Sequence, residues 1–260
     1  MPLREMREAR VLENKRYGLE ILNKLDLERK PICVKFSYLK PEGFEKLDIK
    51  SRLCEFVSVA QKMDKQFYID KENEDCYGKK VLGMEDFPSF AESGLIGSEL
   101  KIFQEPRANA RLYFYVPRLR PGMVNYVIFS PIDKLSFDPD LLIVTANVSQ
   151  AEIILRAMSY STGEPWVSIH SFVLGCAWLF VYPFISGKVN YVVSGMTFGS
   201  KVVKEPPEGY IIISIPYDWI PVITKNLREM TWSLPSYEGK ETHFKIFEEI
   251  LRKYGKYGQP

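Results

Sequence analysis

The run Asp140-Leu-Leu-Ile-Val-Thr-Ala146, followed by Ser149-Gln-Ala-Glu-Ile-Ile-Leu-Arg-Ala-Met158, decides how the chain is read. A short, nearly continuous apolar stretch bounded by turn residues reads as a strand buried on both faces. The stretch after it sets Ala151, Ile154, Leu155 and Met158 at helical spacing, with Ser149 as N-cap and Glu152 completing a capping box. A turn that leaves a buried strand and opens a helix exposes free N–H groups, and such crevices receive ligands in α/β proteins. Asn147 and Gln150 in this turn are therefore candidate ligand contacts. The plainer reading is that the turn only caps its helix.

Working outward, the first half of the chain repeats the same order. Pro31-Ile-Cys-Val-Lys-Phe36 reads as a strand and Ser51-Arg-Leu-Cys-Glu-Phe-Val-Ser-Val-Ala60 as the helix after it. Leu53, Phe56, Val57 and Ala60 fall at the spacing of Ala151, Ile154, Leu155 and Met158. A short strand and a cysteine come next in each half: Gln66–Asp70 with Cys76, and Trp166–His170 with Cys176. A late strand then ends in proline, Tyr126–Pro131 and Tyr210–Pro216, with Asp133 and Asp218 beyond. The expected fold is thus α/β with a mixed sheet, built from two related halves in one pseudo-twofold duplicated domain. Any α/β chain repeats strand and helix, so the alternative is coincidence. The expected boundaries are an N-terminal helix over 1–30, halves over 31–136 and 137–232, and a connector with a C-terminal helix over 233–260. The Phe244, Phe247, Ile250 and Leu251 face of that last helix is expected to pack on the body or on another subunit, which allows a homo-oligomer.

Composition narrows the class. With 260 residues, 46% hydrophobic and 26% charged, the chain is neither disordered nor low in complexity. Thirty-five basic against 33 acidic residues give a net charge of +2, which argues against a nucleic-acid binder. No apolar signal core or membrane-spanning run is seen, so a cytoplasmic protein without membrane attachment is expected. Two histidines, His170 and His243, leave little for His-based chemistry. His170 reads as a possible ligand or proton carrier, or more plainly as a core-edge residue. Arg107, Arg111, Arg118 and Arg120 cluster among prolines, suited to an acidic ligand or to a solvated loop with ion pairs.

Four cysteines are too few for a disulfide scaffold. Cys33 sits in an apolar strand and reads as a small buried hydrophobe. Cys54 falls in the first helical turn after Ser51, where the helix dipole and Arg52 both favour a thiolate. Cys76 follows Glu74 and Asp75, with Asp75 as the cap of a further helix. Cys176 lies where a strand gives way to an apolar helix. A pseudo-twofold axis would bring Cys76 and Cys176 together with Cys54 nearby. Three thiolates without a histidine suit an iron–sulfur cluster or a soft metal. Arg52 is expected beside them as a ligand contact. No C-x-x-C pair supports this, so the spacing leaves open a metal-independent protein or enzyme that takes a small molecule in the crevice between halves.

Pro131-Ile-Asp-Lys-Leu-Ser-Phe-Asp-Pro-Asp-Leu-Leu-Ile-Val144, Gln150-Ala151 and Ala157-Met-Ser-Tyr-Ser-Thr-Gly163 resemble the prokaryotic domain-of-unknown-function family numbered one hundred and sixty-nine. Arg52-x-Cys54, Cys76-x-Gly78, Leu82-Gly83, the lone Cys176 and Ile215-Pro216 fit the same pattern, over roughly residues 10 to 232. The family has no assigned activity. The resemblance implies that Cys54, Cys76 and Cys176 belong to a shared site. It also implies a fourth cysteine at a place this chain fills with Ser194 or Met196.

Overall fold

The computed structural model describes residues 3–255. Helix α1 (Leu3–Leu25) leads into strand β1 (Ile32–Ser37), helix α2 (Glu55–Met63) and strand β2 (Phe67–Ile69). Helices α3 (Gly78–Val81), α4 (Ser89–Glu92), α5 (Leu95–Glu99) and α6 (Pro106–Tyr115) follow, and then strand β3 (Tyr126–Pro131). The second part runs β4 (Leu141–Ala146), α7 (Val148–Tyr160), a π-helical turn (Ala177–Val181) continuous with α8 (Tyr182–Ser186), and β5 (Asn190–Val193). Helix α9 (Phe198–Val203), strand β6 (Ile211–Pro216), and helices α10 (Ile220–Glu229) and α11 (Lys240–Tyr254) complete it.

The six strands form one sheet in the order β2-β3-β1-β4-β6-β5. Every neighbouring pair is antiparallel, so the sheet is not mixed as expected. The reason is a split crossover: β1 and β2 run the same way, but β3 lies between them, and β6 separates β4 from β5 likewise. All six residues of β4 are buried, as its unbroken apolar run requires in a central strand. The join between β1 and β4 has only three residue pairs, from Ile32↔Ile143 to Val34↔Leu141. Asp140 ends it, because its carboxylate accepts the Phe36 N–H at 2.7 Å where a next ladder bond would fall.

The strand alternation sends two sets of side chains to opposite faces. Ile32, Val34, Leu141 and Ile143 share the first face with Phe56 and Val57 of α2 and with the π-helical turn. Cys33, Leu142 and Val144 share the second with α1, α7 and α10. The expected match of α2 with α7 therefore does not hold in space: a twofold axis normal to the sheet keeps each helix on its own face, and these two lie on opposite faces. The strand order alone reads the same from either edge.

Trp166–His170, expected as a strand, has no regular structure. Its edge position is taken by β5, and Asn190 supplies the missing partner: Oδ1 accepts the Ile169 N–H and Nδ2 donates to Ile169 O. Helix α11 forms, but none of its residues is buried, and Phe244, Phe247, Ile250 and Leu251 are each about half exposed. Among the described residues no helix is long and apolar enough to cross a membrane.

Candidate functional site

The first face is covered by short segments rather than long helices, and they leave a cavity of about 240 Å³. One wall comes from the first half: Arg52 and Cys54 ahead of α2, Cys76 and Tyr77 ahead of α3, and residues of α5 and α6. The other comes from the second half: Leu174 to Cys176, Val192 of β5, Ile212 of β6, and α9. The three cysteines singled out from the sequence do line one space.

Buried Glu74 fixes the first wall. Its Oε1 accepts the Leu53 N–H at 3.1 Å, and Oε2 accepts the N–H groups of Cys76 and Lys79 at 3.1 and 3.0 Å. One carboxylate thus ties the segment bearing Cys54 to the segment bearing Cys76, and a β-bridge between Ser51 and Glu74 reinforces the tie. Gly78 must be glycine, because a Cβ there would lie 2.5 Å from Leu53 Cβ and 2.6 Å from Glu74 Oε1. Burial still raises the Glu74 carboxyl above its usual range, against the opposing effect of the three N–H donors.

The thiols are not poised as thiolates. Burial pushes Cys54 up to about 12, with the negative groups at Cys76, Glu55 and Glu74 adding to it and Arg52 opposing weakly. Burial likewise raises Cys176 well above the usual thiol value, and Cys76 to a lesser degree. As residues Cys54 and Cys176 are partly exposed and Cys76 exposed, while Cys33 is fully buried in the second face as expected. The helix-start effect expected at Cys54 does not win, because Cys54 is itself the N-cap of α2 and makes no side-chain cap bond. The Glu55 carboxylate turns back ahead of the helix, accepting from Ser51 Oγ and from the Arg52 N–H.

The iron–sulfur or soft-metal site expected at Cys54, Cys76 and Cys176 is overturned. Among the described residues no group of three or more His, Cys, Asp or Glu side chains is placed to hold a metal ion. Lining one cavity is a looser condition than converging on one centre. The nearby carboxylate of Glu74 is engaged by three backbone donors and that of Glu55 by Ser51 Oγ and the Arg52 N–H, and burial raises all three thiols.

Asn147 and Gln150 lie elsewhere and cap α7. Asn147 Oδ1 accepts the Gln150 N–H at 2.9 Å, Gln150 Oε1 accepts the Asn147 N–H at 3.0 Å, and Gln150 Nε2 donates to Leu25 O and Asp26 O. The capping box falls two residues earlier than Ser149 and Glu152, leaving Glu152 to bind Tyr237 and Arg156. His170 does not line the cavity. Arg118 pairs with Glu92 at 2.6 Å and lies over the Phe87 ring.

Two aromatic residues of the wall escaped sequence reasoning. Tyr77 stacks on Phe87, and Phe87 meets Tyr113 edge-on, with centroids 5.9 and 5.6 Å apart. Burial raises the Tyr113 hydroxyl to about 12, so it stays a protonated donor at neutral pH. Tyr77 was visible beside Cys76. The segment that carries Tyr113 could have been recognised from Pro106 at the first turn of α6.

The family model described as DUF169, "Uncharacterised ArCR", matches residues 20–226, and the chain belongs to that family. An uncharacterized protein of Methanocaldococcus jannaschii, MJ0308, is 23% identical over 158 residues, covering 59% of this chain and 66% of that protein. The aligned region thus falls just short of two thirds of that relative. No solved structure matches the chain.

Proposed function

For this member of the DUF169 family we propose a metal-independent role: binding a small, mainly apolar molecule in the first-face cavity between residues 31–136 and 137–232. The observation that carries this is a cavity lined from both halves, largely by apolar groups and neutral thiols. Ligand sites are concave, mostly apolar and often placed where structural units meet. The volume of about 240 Å³ lies below the ~300–1,000 Å³ of drug-sized ligand sites, which sets the occupant as small.

We also read the sheet as a doubled unit, in which β1, β3 and β2 correspond to β4, β6 and β5. The palindromic strand order supports this, as do the prolines ending β3 and β6, each followed by a single 3-10 turn. The helices have diverged in which face they cover, and that divergence opens the cavity on one face.

Gly199 supplies the test. A Cβ there would lie 3.7 Å from Cys54 Sγ, in ordinary contact, so a larger side chain projects into the cavity without disturbing its own helix. The small neutral dye N-phenyl-1-naphthylamine is expected to brighten with the wild-type chain and to lose that response in Gly199→Leu, while Gly199→Ala retains most of it. Equal binding by Gly199→Leu would refute the assignment.

A further inference from the structure

The polar groups of the cavity wall sort into two sets. Most are already engaged within the protein. Ser194 Oγ donates to Pro206 O, and Thr197 and Ser200 form the capping box of α9. Glu205 pairs with Arg29 at 3.1 Å and Lys62 at 3.0 Å. Asn109 Nδ2 donates to Gly94 O, while its buried Oδ1 has no partner. Three side chains remain, Arg52, Tyr77 and Tyr113. Among the described residues neither the Arg52 guanidinium nor either phenol oxygen has a hydrogen-bond or ion-pair partner.

Apart from Asn109 Oδ1, a single acceptor, what remains is dominated by donors. A guanidinium offers only donors and a fixed positive charge, and a protonated phenol is the ready donor to an anion. The three belong to the same wall. The Ser51–Glu74 bridge holds the segments of Arg52 and Tyr77 together, and the ring of Phe87 links Tyr77 to Tyr113. The facing wall brings apolar Val192 and Ile212 and no free cation or carboxylate. A neutral apolar occupant would leave the guanidinium unpaired beside an apolar surface, whereas an anionic head would pair with it and find the two phenols as further donors on the same wall.

We propose that the occupant carries one carboxylate on an apolar body, with the carboxylate held by Arg52, Tyr77 and Tyr113. This rests on the cavity being a ligand site, and it goes further by naming the ligand's class. Both can be tested separately by displacing N-phenyl-1-naphthylamine with three molecules of one shape: phenylacetate, phenylacetamide and phenethylamine. Phenylacetate is expected to bind at least about tenfold more tightly than the amide, the size of one charge-assisted hydrogen bond, and the amine no better than the amide. Arg52→Gln should remove the preference while leaving the amide unchanged, and Tyr113→Phe should reduce it in part. Equal binding of carboxylate and amide, a preference that survives Arg52→Gln, or failure of all three to displace a bound dye would overturn the carboxylate assignment while leaving the cavity as a site. Failure of N-phenyl-1-naphthylamine to bind the wild-type chain would remove the cavity reading, and this inference with it.

Discussion

The two faces of the sheet are built on the same six strands yet are covered in different ways. The second face carries α1, α7 and α10, of 23, 13 and 10 residues, whose apolar stripes mesh with Leu142, Val144 and Ile213. The first face carries α2 and α6, of nine and ten residues, the π-helical turn, and helices of four or five residues such as α3, α4 and α5. A long helix presents a continuous stripe that fills a sheet face, while short segments present their ends, and ends leave space. Both faces are packed, and the first also keeps the cavity proposed above as the ligand site.

The largest expected contrast is between apolar truncations on the two faces. Ile154→Ala, fully buried in α7, should cost about 2–5 kcal/mol in denaturant unfolding. Leu100→Ala, which borders the cavity and is 55% exposed, should cost less than about 1 kcal/mol. Similar costs at the two sites would break the contrast.

Next in size is Glu74→Gln. The amide nitrogen cannot accept from the backbone, so one or two buried N–H groups lose their partner at about 1–3 kcal/mol each. The variant should also alkylate faster at Cys54 and Cys76, because the tie between their segments is loosened. Unchanged alkylation would show that Glu74 does not order this wall.

The helix starts differ by a smaller margin. Asn147→Ala removes the capping box of α7 and should cost about 1 kcal/mol, whereas Cys54→Ala removes no cap bond and should be close to neutral for α2. Chemical-denaturation midpoints of the two variants compare them directly.

The smallest effect concerns the thiols. Because the folded-state value of Cys54 is raised from 9.0 to about 12, the unfolded chain releases its proton first. The neutral-thiol contribution to stability is therefore complete below about pH 9 and declines as pH rises toward 12, and Cys54→Ala should flatten part of that decline. Timed iodoacetamide labelling read by mass spectrometry should modify Cys76 first, then Cys54 and Cys176, with Cys33 protected until global unfolding. Early labelling of Cys33 would erase the distinction between faces.

The sheet was the legible part of the chain. Asp140–Ala146 and Tyr126–Pro131 announce themselves because central strands need continuous apolar runs, and five of six strands were readable in place. The helices that line the cavity were not: α5 and α9, of five and six residues, have too few turns to show a period, and the ten-residue α6 carries a mixed polar and aromatic sequence without a clear apolar stripe. Helix α10 was missed despite Ile220, Ile223 and Leu227 at helical spacing behind Pro221, a signal that was present. At the site, the sequence singled out Arg52, Cys54, Cys76 and Cys176, and the fold brings all four to one cavity. It misjudged their chemistry, because thiolate formation was argued from helix ends and a neighbouring arginine, while desolvation depends on segments far away in the chain. Tyr113 was silent for the same reason.

The most direct test of a ligand site confined to one face is a methyl-resolved NMR titration of the full chain with toluene, a small apolar ligand. Saturable shifts are expected at Leu179, Val192 and Ile212, with Ile154, Ile223 and Leu227 unmoved. Shifts spread evenly over both faces, or none at the first face up to the solubility limit, would contradict the account.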